Sequence, residues 1–194
     1  FGSHWARRRG KMPSAAAVPC PRRPAPTITP WQIENCWLKL TSVDRQEAKR
    51  LVDICPYDPV WAEMYAAEAE RLTAVFRPIL VAMHHIGSTA VPGLSAKPTL
   101  DIMPVVTDIA QVDALNPQMA ALGYIARGEH GIAGRRYFRK GSDAFHTHHI
   151  HVYQAGSLEI SRHLGFRDYL CAHPEAAAAY GRLKTSLAAQ YRAD

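Results

Sequence analysis

Apolar positions fall into two rhythms along this chain. Short apolar blocks of strand length occupy the middle, and helical spacing governs the stretches before and after them. Leu51–Cys55 reads as a short strand, and Pro56-Tyr57-Asp58-Pro59 as a turn in which Asp58 caps the helix opened by Pro59. That helix runs to Phe76, with Trp61, Met64, Tyr65, Leu72 and Phe76 facing a core and Glu63, Glu68 and Glu70 on a solvated face. Ile79–Met83 and Leu100–Met103 are strand-length apolar runs. A helix follows from about Asp108 to Leu122, kinked or broken at Asn116-Pro117 and stopped by Gly123. Tyr124–Arg127 and Arg135–Lys140, with Gly131 and Gly134 between them, predict a hairpin. His146–Gln154 is a third strand, and the rest is helical, about Ser157 to His173 and Pro174 to Tyr191. Strands interleaved with helices imply an α/β (α+β) domain.

The first 29 residues break both rhythms. Pro13, Pro19, Pro21, Pro24 and Pro26 with interspersed Ala and Arg predict a disordered or weakly ordered basic tail, 1–29, ahead of one domain, 30–194. Thr29-Pro30 predicts a helix start, with Trp31, Ile33, Trp37, Leu38 and Leu40 as a face that docks on the domain. The net charge of +6 belongs to the tail. Six of the 23 basic residues precede the first acid, Glu34, and 17 of each sign remain after it. The domain therefore carries no strong nucleic-acid signal. No apolar run nears the ~20 residues of a bilayer span, so no membrane association is expected. Cys20, Cys36, Cys55 and Cys171 are scattered without a Cys-x-x-Cys pair, which points to reduced thiols and a cytoplasmic setting.

Chemistry concentrates between the first two central strands. Gly87-Ser88-Thr89 follows the first, and Gly87 lacks the side chain that would obstruct a sharp turn or a ligand. Ser88 and Thr89 suit a short helix start whose amides and hydroxyls meet an anion. Pro92-Gly93 and Lys97-Pro98 constrain the next loop, and Asp101 then interrupts an apolar strand. A carboxylate there is costly to bury without a partner. A phosphate-gripping turn beside a metal-binding carboxylate suits nucleotide chemistry, although a Gly-Ser turn and a strand Asp also serve as plain structure. On the third strand, alternation puts His149 and His151 on one face with Thr147 and Tyr153, and His146 and His148 on the other. Two same-face His residues chelate a metal or meet a phosphate; they also suit the polar face of an edge strand. Among Arg135, Arg136, Arg139 and Lys140, Lys140 reads as surface, and at least one Arg as facing a ligand.

The run His85-Ile86-Gly87-Ser88-Thr89-Ala90-Val91-Pro92-Gly93-Leu94-Ser95-Ala96-Lys97-Pro98, followed by Asp101-Ile102, resembles the signature of the GrpB family. Tyr57-Asp58-Pro59 with Trp61, His149-Ile150-His151-Val152, Phe166–Leu170 and Tyr180–Lys184 extend the likeness over roughly Val52 to Tyr191. The resemblance implies a nucleotidyltransferase-like mixed β-sheet flanked by helices, and kinship with the accessory domain fused to some dephospho-CoA kinases. It implies a protein acting on or binding a nucleotide or phosphorylated small molecule. Gly87, Ser88, Thr89 and Lys97 would meet the phosphates, and Asp101, His149 and His151 would be catalytic. Asp101, His85, His149 and His151 would hold a divalent metal, Mg, Mn or Zn. Working nucleotidyltransferases carry a second carboxylate two residues after the first; here that position is Met103, which offers magnesium no hard oxygen ligand. A binding module without turnover, or an accessory role in coenzyme A biosynthesis, is the alternative.

Overall fold

The computed structural model describes residues 53–143 and 145–191. The tail, the helix expected from Thr29-Pro30, and Leu51 and Val52 lie outside the described residues. Of the strand expected at 51–55, Cys55 makes a lone bridge to Ala96, their amides and carbonyls exchanging two 2.9 Å bonds.

Helix α1, Val60–Phe76, begins where expected, with the Asp58 carboxylate accepting from the Val60 amide at 2.9 Å. Strands β1, Leu80–Ile86, and β2, Leu100–Val106, pair antiparallel. Between them lies a short 3-10 turn, Ser88–Ala90. The stretch after β2 is a 3-10 segment, Ile109–Leu115, capped by Asp108, and then helix α2, Asn116–Ala121. Pro117 is the reason for the change: it fits the first turn of a new helix and not the interior of one long helix. Strands β3, Tyr124–Ala126, and β4, Arg135–Gly141, form the expected hairpin, and β5 is His146–Gln154. Helices α3, Leu158–Ala172, and α4, Pro174–Gln190, complete the described chain.

The sheet order is β1-β2-β5-β4-β3. Only β2 and β5 run parallel, so the segments from Thr107 to Phe145 serve as their crossover. This is the mixed sheet flanked by helices expected from the sequence.

Each face of the sheet packs differently. One face receives α1 and α2, with Leu72, Phe76, Ile102, Val106, Met119, Phe138, Ile150 and Val152 forming the main core. The other carries a smaller cluster of Ile86, Met103 and Tyr153, covered by Ile160 and Leu164 of α3. Helix α4 is anchored separately, through Ala177 against Val91, Leu94 and Leu170. Gly181 permits that approach, since a Cβ there would stand 3.3 Å from Leu94 Cδ1.

Glu68 departs from expectation. It is buried, not solvated, whereas Glu63 and Glu70 are exposed. Its carboxylate accepts from Tyr124 Oη at 2.8 Å, Lys140 Nζ at 3.1 Å and Arg71 Nη1 at 2.8 Å. Lys140 is accordingly no free surface residue; it leans over the Tyr124 ring into this cluster.

Candidate functional site

Gly87 sets the geometry of the site. Its φ of +71° is strained for any residue with a side chain, and a Cβ there would lie 2.4 Å from Asp101 Oδ2. The β1–β2 register explains this closeness, because Ile86 stands opposite Asp101 at the end of the ladder. The Gly-Ser turn and the carboxylate thus share one place.

Parallel pairing sets Asp101 opposite His149. His149 Nδ1 and His151 Nε2 both donate to Asp101 Oδ1, at 3.2 and 3.3 Å. The two imidazoles are two residues apart and so share the Asp101 face, as their alternation predicts. Pro104 contributes to their setting. It has no amide hydrogen, and the β2–β5 pairing passes over Met103 and Pro104, the stretch beside His151. Burial works against the Asp101 charge, but the hydrogen bonds from both His outweigh it and hold the carboxyl well below the usual carboxylate range.

His146 contradicts simple alternation. Between β4 and β5, Lys140 faces His148 and Gly141 faces His146, so Thr147 is an extra residue in the ladder. Such a bulge reverses the facing of what precedes it. His146 therefore joins the Asp101 side, its Nδ1 3.0 Å from His149 Nε2, and Arg139 Nη1 caps its other nitrogen. His148 stays on the α1 face beside Tyr124.

His85, expected among the metal ligands, is displaced from the group. It lies opposite Ile102, on the α1 face, where it stacks on Tyr65 at 4.6 Å and meets Thr89 Oγ1 at 3.0 Å. Burial pushes its pKa down to about 4, with Asp101 opposing and Arg167 assisting. Thr89 does not face outward either. It is buried, and its hydroxyl is taken up by His85 and by the Thr99 carbonyl, bracing the loop. Lys97 stands partly buried in the last turn before β2, its carbonyl accepting from the Thr99 amide. Met103, where a second carboxylate would stand, is fully buried against Ile86 and Tyr153.

Two side chains not singled out as site residues from the sequence, Lys184 and Arg167, converge here with Arg135, one of the arginines expected to include a ligand-facing one. Lys184 of α4 donates to Ser88 Oγ at 2.8 Å, and burial pushes its ammonium down to about 8. Arg167 of α3 donates to the His85 carbonyl at 2.9 Å. Arg135 of β4 reaches His151 Nδ1 at 3.4 Å. Both helix residues lie in stretches quoted for the family likeness, but 82 and 96 positions from their partners no local pattern signals the contact.

The Asp101, His149 and His151 donor atoms all lie within 4.8 Å of one another. Ligand atoms about 2.0 Å from a tetrahedral ion stand about 3.3 Å apart, which the 3.2 and 3.3 Å separations match. Two imidazoles and one carboxylate fit zinc or manganese by atom type better than magnesium.

The profile of a family described as GrpB protein matches residues 51–194. The chain belongs to the GrpB family. UPF0157 protein YqkA of Bacillus subtilis is 50% identical over 152 residues, which cover 78% of this chain and 44% of YqkA. The crystal structure of conserved protein GrpB from Enterococcus faecalis superposes with a TM-score of 0.69 at 42% identity, covering 72% of this chain and 84% of that one. A dephospho-CoA kinase of Mycolicibacterium paratuberculosis is 29% identical over 174 residues, 77% of this chain and 42% of the kinase. The GrpB chain thus spans less than half the length of YqkA and of the kinase. No helix among the described residues of this GrpB chain is long and apolar enough to cross a membrane.

Proposed function

We propose that this GrpB domain binds a nucleotide or a related phosphorylated small molecule across Gly87-Ser88, with a single divalent ion held by Asp101, His149 and His151. The observation that carries the reading is the closeness of three donor atoms to a side-chain-free turn that a lysine also reaches. Gly87 leaves room for phosphate oxygens beside Asp101, and Ser88 with Lys184 supplies donors to them. A divalent ion bound there supplies Lewis acidity toward a phosphoryl oxygen. The kinase relative supports the class of ligand, a phosphorylated metabolite, and no more.

Met103 favours binding without turnover as the second reading. A buried thioether leaves one carboxylate where two-metal chemistry needs more. Calorimetric titration of ATP and CTP with magnesium, manganese or zinc distinguishes the outcomes. Metal-dependent binding that is lost in Asp101→Asn supports the site, and nucleotide turnover by the wild type selects transfer over binding alone. Binding indifferent to Asp101 contradicts both readings.

A further inference from the structure

Arg135 is buried, and its described partners, the Tyr153 hydroxyl among them, are unusual for a guanidinium. Nε donates to the Glu129 carbonyl at 3.1 Å, Nη2 to the His130 carbonyl at 2.7 Å, and Nη1 to His151 Nδ1 at 3.4 Å. Its Cζ lies 4.9 Å from the centre of the Tyr137 ring. No carboxylate among the described residues pairs with it. Arg139, four residues on and also buried, does have one, Asp143. A buried arginine is normally paired with an anion. Arg135 has dipoles in place of that anion, on the face of the sheet that carries Asp101.

Hydrogen-bond polarity makes this consequential. A guanidinium only donates, so His151 must accept at Nδ1 and carry its proton at Nε2. That proton is the one donated to Asp101 Oδ1. A metal ligand needs the reverse: a lone pair at Nε2 and an N–H at Nδ1 facing an acceptor. The spacing of the three donor atoms fits an ion, while Arg135 holds one of them in the wrong tautomer. Moving the proton from Nε2 to Nδ1 through solvent leaves His151 with the same number of protons, but it brings two donors face to face unless Arg135 withdraws.

We infer that Arg135 receives a phosphate group of the ligand, and that this capture releases His151 Nδ1 so that the metal and the phosphate bind together. The inference rests on the metal-and-phosphate reading above. Arg135 is a binding residue for the anion and a positioning residue for His151. It thereby links the Glu129–His130 turn to the centre of the site.

The test uses Co2+, followed by its visible absorption, with and without inorganic phosphate. In the wild type, phosphate tightens Co2+ binding by about tenfold, the usual scale of coupling between two sites. Arg135→Gln binds Co2+ at the tighter level without phosphate, and phosphate adds nothing. Because that variant also loses the brace on the turn, the wild type supplies a second measurement. Long-range proton–nitrogen NMR of metal-free protein should show His151 protonated at Nε2. The opposite tautomer overturns the inference. Tight Co2+ binding indifferent to phosphate overturns it and leaves the metal site standing; absence of Co2+ binding under both conditions overturns both.

Discussion

Two carboxylates sit on opposite faces of the same sheet, and their surroundings separate structure from function. Glu68, under α1, has a side chain 7% exposed, and both oxygens are occupied: Oε1 by Tyr124 and Lys140, Oε2 by Arg71. Asp101 is 27% exposed, and both its histidine bonds fall on Oδ1, while Oδ2 lies against Gly87. Burial opposes the charge of each, and hydrogen bonds outweigh it in each, so both carboxyls titrate below their ordinary range. The difference lies in the partners. Fixed cations and a phenol close the Glu68 cluster. Imidazoles, which bind metals or move protons, face Asp101 beside a turn stripped of its side chain.

Truncating Glu68 should be the most damaging change. Glu68→Ala strands the Lys140 ammonium and the Tyr124 hydroxyl, costing about 3 kcal/mol, or roughly 10 °C in Tm. Metal and nucleotide affinity per folded molecule should not change. A Glu68→Ala protein as stable as the wild type would remove the structural half of the comparison.

Next in size is Gly87→Ala. The added methyl would meet Asp101 Oδ2 in a backbone conformation that disfavours side chains, at a cost of about 2 kcal/mol. Unlike Glu68→Ala, it should also weaken metal binding, because it displaces the carboxylate. Thermal melts paired with metal titration check both effects.

Acid should act mainly through the α1 face. Burial pushes the pKa values of His85 and His148 from 6.5 down to about 4. Between those values the unfolded chain binds protons that the folded one refuses, so stability rises with pH across this window. Tm should therefore fall as pH drops through 6.5 and continue falling toward 4. His148→Gln should flatten part of that slope, and a wild-type Tm constant from pH 7 to 4.5 would contradict the account.

The smallest effect concerns Lys184. Its ammonium loses its proton as pH rises through about 8, so phosphate affinity should decline above that pH. Lys184→Met should bind phosphate more weakly at pH 7 and show no such decline.

How much of this was legible in the sequence follows from the range of each interaction. Strand β5 was readable at both ends, because its alternation and flanking turns are local. The sharing of one face by His149 and His151 followed from the same periodicity, and Gly87-Ser88 announced a turn by composition. His146 was misplaced because the bulge at Thr147 arises from pairing with β4, which no pattern within β5 encodes. Glu68 looked like Glu63 and Glu70 because all three lie on one helix; only Tyr124 and Lys140, folded over it from the hairpin, distinguish it. His85 opens the motif in sequence but stands one strand position out of phase with Asp101. The break at Asn116-Pro117 after β2 was readable because proline acts locally, but the 3-10 form of Ile109–Leu115 ahead of it was not.

The most direct measurement sets the two carboxylates against each other. Thermal melts of wild type, Glu68→Gln and Asp101→Asn are recorded with and without Zn2+ or Mn2+. Ligand that binds only the folded state raises Tm. The account predicts that Glu68→Gln starts lower but keeps the full metal-induced rise. Asp101→Asn, which weakens the bonds from both histidines, should also start lower but should lose the rise. A metal-induced rise that survives Asp101→Asn, or that disappears in folded Glu68→Gln, would contradict the assignment of function to the Asp101 face.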